Sequence, residues 1–276
     1  MIMSDADNDN LALFKAAVEA IDSGNVARLA ELLSAYPHLG LYQCRVGEYE
    51  SGYFAGATLL HHITGNPIRC PIPPNIVEVA TLLLAHDFLP DALRQTIGLL
   101  LTSKQASDAH VALPLIDLLV ATGAVLDLDD PETLTMPILN SAPDTAKALI
   151  ARGAVPDLRH AAGLGLTGAV ATLLADQPEP QFVEEALLFA SMRGELDTAK
   201  LLVDAGATGN VLFPRRDGSR TALHEAANRG YDALVCLLVA SGADVNVIET
   251  CYGGTPAHWA DHGGHKEIAE FLRSHK

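Results

Sequence analysis

Two amphipathic runs separated by a glycine recur near the end of the chain. Thr221-Ala-Leu-His-Glu-Ala-Ala227 leads through Gly230 into Tyr231-Asp-Ala-Leu-Val-Cys-Leu-Leu-Val239, which closes on Ser241-Gly-Ala-Asp-Val-Asn246. Thr255-Pro-Ala-His-Trp-Ala-Asp261 leads through Gly264 into His265-Lys-Glu-Ile-Ala-Glu-Phe-Leu272. The two openings lie 34 residues apart. In each run the Leu and Ala positions share one face at helical spacing, which predicts two short helices joined by a turn and packed through that face. The threonine is placed to cap the first helix by accepting an orphan backbone N–H. Pro256 falls at the first helical position, where its missing N–H costs nothing. Gly242 stops the second helix by permitting a left-handed backbone.

The same grammar continues upstream in weaker form. Leu201-Leu-Val-Asp-Ala-Gly-Ala207, Leu149-Ile-Ala-Arg-Gly-Ala154 and Leu118-Leu-Val-Ala-Thr-Gly-Ala124 repeat the second-helix ending, and Thr58-Leu-Leu-His61 repeats the opening. Asn75-Ile-Val-Glu78 and Ser141-Ala-Pro-Asp144 resemble capping boxes. Second helices are expected to end near residues 35, 86, 123, 152, 176, 205, 241 and 274, which makes about eight helix-turn-helix units, the N-terminal ones degenerate. The organisation expected is a flexible N-terminus over 1–9 and a single all-α array over 10–276. Insertions break the array at 39–57 and at 65–74, where Pro67, Pro71, Pro73 and Pro74 exclude helix.

These residues resemble the ankyrin-repeat family, strongly over 196–276 and in divergent form over 10–195. The degenerate first unit, the long loop and the Thr58-Leu-Leu-His61 motif are similar to bacterial-type stand-alone ankyrin-repeat proteins. The resemblance implies an all-α ankyrin-repeat solenoid whose concave face, lined by first helices and loop tips, binds protein. It brings no catalytic residues and no cofactor. It also implies that the motif histidines His61, His224 and His258 are structural, bonding the threonine and loop backbone, and that His265 is the turn histidine of a second helix.

Charge and composition narrow the function. Thirty-four acidic against eighteen basic residues give a net charge of −16. General nucleic-acid binding and adhesion to anionic membranes are therefore not expected. The longest apolar stretch, Val111–Leu126, carries Pro114 and Asp117 and is too short to span a bilayer. Four scattered cysteines with no CxxC pair suit a reducing compartment, and the acidic N-terminus has no signal-peptide character. A cytoplasmic monomer is the expectation. No HExxH, GxSxG or GxxxxGK[ST] motif occurs. Asp127, Asp129, Asp130 and Glu132 lack EF-hand spacing and read as a solvated acidic edge. No metal site, cofactor or enzymatic activity is expected.

Candidate partner-binding residues are those the packing pattern leaves free. The residue after each motif histidine is expected to face the groove: His62, Glu225 and Trp259, the last being the only tryptophan. His262 is an off-motif histidine beside them. The long loop concentrates Tyr42, Arg45, Tyr49 and Tyr53, and a second loop carries Phe213, Arg215, Arg216 and Arg220. Tyr, Trp and Arg are the types enriched at interface hot spots. The plainer alternatives are a lid for the Tyr loop, a solvated finger tip for the Arg loop and C-terminal cap packing for Trp259. The leading reading is a non-enzymatic scaffold that binds another protein. One alternative is a small-molecule binder or atypical enzyme, with the 39–57 and 65–74 loops closing a pocket over His61 and His62, lined by Arg45, Arg69 and Cys70. Another is a secreted, host-directed effector.

Overall fold

A computed structural model describes residues 5–44, 56–65, 71–214 and 219–275. Arg45, Tyr49, Tyr53, Arg69, Cys70, Arg215 and Arg216 lie outside them. Apart from one isolated antiparallel bridge between Phe213 and Arg220, the described residues are helix, turn and loop. The all-α expectation is met. The chain divides into two compact units, Met1–Leu149 and Ile150–Lys276.

In the first unit, α1 (Asp5–Asp22) and α2 (Val26–Ala35) pack as a pair. The helix therefore begins inside the segment expected to be flexible. Phe14, Ala17, Val18 and Ile21 of α1 meet Leu29, Leu32 and Leu33 of α2, all buried. Such spacing is the signature of a helix with one apolar stripe. The Thr58 motif departs from expectation. It opens a 3₁₀ turn, Leu59–Thr64, rather than an α-helix, and Gly65 ends it at φ 83°. Then follow α3 (Ile76–Leu84), α4 (Ala92–Thr102), a short α5 (Lys104–Asp108), α6 (Ala112–Ala121), α7 (Glu132–Leu139) and α8 (Pro143–Ala151). The capping box expected at Asn75 does not form. Its side-chain N–H donates instead to the Gly24 carbonyl at 2.8 Å, tying α3 to the preceding turn. Asp127 and Asp130 accept backbone N–H groups of Asp129, Asp130 and Glu132, so the acidic edge shapes the start of α7.

The second unit is more regular. Its helices are α9 (Leu158–Gly163), α10 (Thr167–Ala175), α11 (Pro180–Arg193), α12 (Leu196–Asp204), α13 (Ala222–Arg229), α14 (Asp232–Ala240), α15 (Pro256–His262) and α16 (Lys266–Ser274). First helices α9, α11, α13 and α15 pack in a row, and α10, α12 and α14 form a second row. One core runs between the rows. Alanines supply it from the first helices (Ala161, Ala162, Ala186, Ala190, Ala226, Ala227, Ala257 and Ala260), and Leu202, Leu238 and Leu272 supply it from the second. Small residues let backbones approach, and each buried leucine contributes about 2 kcal/mol of transfer free energy.

Register between pairs is set by the turn glycines. Gly194 and Gly230 adopt φ 76° and 75°. A Cβ on Gly194 would lie 2.8 Å from the Tyr231 ring, and one on Gly230 would lie 2.4 Å from the His265 ring. In both, the residue that caps the next second helix sits on the bare glycine of the pair before it. Glu195 on Gly165 repeats the arrangement, as does Asn75 on Gly24 in the first unit. Glycine is needed for the left-handed turn and for the space above it.

Candidate binding groove at the α13–α15 end

The threonine-histidine spacing builds the local frame. The Thr221 N–H donates to His224 Nδ1 at 3.3 Å, and the Thr255 N–H donates to His258 Nδ1 at 3.2 Å. In the first unit the Thr58 N–H does the same to His61 at 3.0 Å. An Nδ1 that accepts leaves the proton on Nε2. His224 Nε2–H reaches forward to the Gly254 carbonyl of the next loop at 3.2 Å. The structural role expected of these histidines is what the geometry shows. Burial is the largest influence on His224 and lowers its pKa, outweighing the Gly254 hydrogen bond and the nearby Glu249 and Glu225 carboxylates; Arg220 lowers it further. His61 is also lowered by burial, against a hydrogen bond that it donates to the Gln95 side chain. Both are held toward the neutral form that the cap requires.

A fourth such cap was missed in the sequence. The Asp157 N–H donates to His160 Nδ1 at 3.3 Å while the Asp157 carboxylate accepts the His160 N–H at 3.0 Å. Aspartate stands where threonine was sought. The signal was an N-cap residue followed by histidine three positions later.

The base of the 214–219 loop aims Arg220 across α13. Phe213 and Arg220 exchange both backbone hydrogen bonds, at 3.0 and 3.2 Å, and Ser219 N–H donates to Thr250 Oγ1. From there the Arg220 guanidinium pairs with Glu225 at 3.3 Å, and Arg229 meets the other oxygen of that carboxylate at 3.1 Å. Its carbon lies 3.9 Å from the centroid of the Trp259 ring, a close cation–π contact. Glu249 lies nearby and is buried. Its carboxylate accepts the backbone N–H groups of Cys251, Tyr252 and Gly254 at 2.6–3.1 Å. Burial pushes its pKa up, but those three hydrogen bonds and Arg220 together hold it below the ordinary value. The last loop is thereby fixed, and with it Tyr252, which is 74% exposed.

The result is an open groove of about 800 Å³, lined by Arg220, Tyr252, Gly253, Gly254, His258, Trp259 and His262. Trp259 is half-buried. Tyr252 and His262 meet its ring edge-on, at centroid distances of 6.1 and 5.6 Å. Among the described residues, none that lines the groove carries a carboxylate.

Several candidate contact residues are placed otherwise than expected. Glu225 is 1% exposed and lies under two guanidinium groups, so it does not face a partner. Arg220 is buried for the same reason, presenting its edge to the groove through Trp259. His62 is buried in the first unit, its ring 5.8 Å from Phe14. Tyr42 is half-buried against the same phenylalanine at 5.1 Å. Phe213 is half-buried at the loop base. Trp259 and His262 are brought together, joined by Tyr252 and His258, which had no contact role in the sequence reading. The backbones of Cys44 and Ala57 pair at 2.9 Å, closing the stem of the Tyr-rich loop. The pocket imagined over His61 and His62 rests on loop residues outside those described. Among the described residues, no group of three or more His, Cys, Asp or Glu side chains converges as a metal site. None of the described helices is long and apolar enough to cross a membrane.

Comparison with known proteins agrees with the repeat pattern. A family model for ankyrin repeats, in three copies, matches residues 158–249 and 187–276. The ARF GTPase-activating protein GIT2 of Rattus norvegicus is 40% identical over 86 residues, 31% of this chain and 11% of that protein. The protein phosphatase 1 regulatory subunit 12A of Mus musculus is 35% identical over 105 residues, 38% of this chain and 10% of that protein. The chain thus spans about a tenth of the length of these relatives.

Proposed function

For a chain that carries ankyrin repeats across its second unit, we propose a non-enzymatic role: capture of a partner protein in the groove over α15. Ankyrin repeats as a class point to protein–protein interaction. The observation that carries the assignment to this groove is Trp259, a half-buried tryptophan held in place by a buried ion pair and flanked by Tyr252 and His262. Rigid aromatic anchors of this kind dominate binding energy at interfaces. Arg220 and Glu225 act through Trp259 and set its orientation. Arg215 and Arg216, six and five residues before Thr221 in the sequence, suit a partner that carries carboxylates. The relatives fit a binding role in name only, one being a regulatory subunit.

The test is capture with the full chain against Trp259→Ala and Tyr252→Ala. A partner retained by the wild type and lost from both variants, with helical content unchanged, is the expected result. Equal recovery by all three overturns the assignment.

A further inference from the structure

Two long loops of the second unit fold back over first helices. The connection between α12 and α13, residues 205–221, returns to α11, where the Glu184 carboxylate accepts the Thr208 and Gly209 N–H groups at 2.8 and 2.9 Å. The connection between α14 and α15, residues 241–255, returns to α13, where the Gly254 carbonyl accepts from His224. Helices α11 and α13 are thus each covered by the loop that follows their own second helix. Helix α9 is not. The connection from α10 to α11 has only the four residues 176–179. Out and back, four residues reach about 7 Å at most, too little to cover the start of α9.

What remains at that place is a cavity of about 420 Å³ between α9, the end of α10 and α11. Its apolar wall is made by Leu158, Leu173, Pro178 and the Phe182 ring, which is 48% exposed. Its charged lining sets three carboxylates, Asp157, Asp176 and Glu185, against one guanidinium. That guanidinium, Arg159, is already held by Asp157 at 2.9 Å and by Glu185 at 3.0 Å. Asp176 is exposed and pairs with no cation among the described residues. An excess of two negative charges therefore faces an apolar wall that carries an aromatic ring. An anion would be repelled there. A metal ion is not suited either, since among the described residues these carboxylates do not converge as a metal site. A cation with an apolar body matches both halves, its charge toward the carboxylates and its body against the ring and leucines.

We infer that this cavity binds a small organic cation, an ammonium compound with an aromatic or alkyl body. The site is separate from the groove over α15, so either can fail while the other stands.

The probe is 2-phenylethylammonium, titrated calorimetrically into the full-length protein at neutral pH and fixed ionic strength. Saturable one-site binding is expected, with a dissociation constant of about 1 mM or below. The neutral 2-phenylethanol and the ring-free ethylammonium should each bind at least about tenfold more weakly, since each keeps one half of the match. Phe182 and Asp176 are both exposed, so their replacement spares the core. Phe182→Ala should weaken the probe about tenfold and Asp176→Asn about threefold, with helical content unchanged. Trp259, the only tryptophan, lies in the other groove, and its emission should stay constant throughout. No saturable binding at tenfold higher probe concentration overturns the proposal. So does equal binding of ethylammonium, which means diffuse attraction to an acidic chain, or equal binding of the alcohol. Binding untouched by both variants, or a Trp259 shift that tracks the heat, places the cation elsewhere and overturns it too. Self-association in sedimentation that Phe182→Ala abolishes also overturns it, because a second copy then fills the cavity.

Discussion

At the scale of single residues, the turn glycines and the buried carboxylates make claims that point variants can check. Gly230 and Gly264 share a left-handed backbone, at φ 75° and 83°, but only Gly230 has a ring above it. Gly264→Ala is expected to cost about 1 kcal/mol for the backbone alone. Gly230→Ala adds displacement of His265 and should cost about 3 kcal/mol, read as a larger drop in denaturant midpoint at unchanged slope. Glu225→Gln keeps the shape but removes the charge between Arg220 and Arg229, and a loss of about 3 kcal/mol is expected. Its Trp259 emission should also change, because Arg220 loses the partner that holds it over the ring. The sequence singles out Trp259 as a candidate anchor, but it carries no sign that Glu225 is a buried ion. The rule that the residue after the motif histidine faces the groove is local. It contains nothing about Arg220, which folds back from a neighbouring loop and covers that position.

At the scale of elements, the threonine-histidine cap ties helix formation to proton balance. His61 and His224 have folded pKa values below the ordinary 6.5. The unfolded chain therefore takes up these protons first as pH falls. Their contribution is fully present above pH 6.5 and is lost on descending through the folded values. Glu249 and Asp157 are held below 4.5 and 3.8. Burial raises Asp157, but the His160 hydrogen bonds and charge, with Arg159, outweigh it. Their stabilisation is present above those ordinary values and disappears in acid. Urea midpoints followed by circular dichroism should thus be flat above neutrality, decline below about pH 6.5, and decline again below about 4.5. His224→Asn should shrink the first decline and leave the second. Helix ends were readable from apolar period and glycine stops. The 3₁₀ turn at Leu59–Thr64 was not, because the same four-residue opening serves either helix type.

At the scale of the whole chain, stability in the second unit is a sum over neighbours rather than the property of one centre. Leu272 of α16 is fully buried, so Leu272→Ala should cost about 2–5 kcal/mol locally. Amide exchange in α15 and α16 should accelerate while that of α9 and α10 stays as it was. Uniform acceleration through α9 to α16 would mean that the unit unfolds as one body. The repeat period and the all-α class were open to inspection in the sequence, since each follows from spacing alone. The division into two compact units was not, because the same apolar pattern runs on both sides of Leu149.

The glycine under each cap residue has a bearing on how such chains change over generations. Every joint is one bare Cα below and one side chain above, and glutamate, tyrosine and histidine all serve as the upper half. Duplicating or excising the coding segment for one complete pair recreates a joint of the same kind at the splice. A breakpoint that falls within a pair separates its glycine from its own second helix. Arrays jointed this way can lengthen and shorten by recombination in whole-pair steps while the cap residues drift.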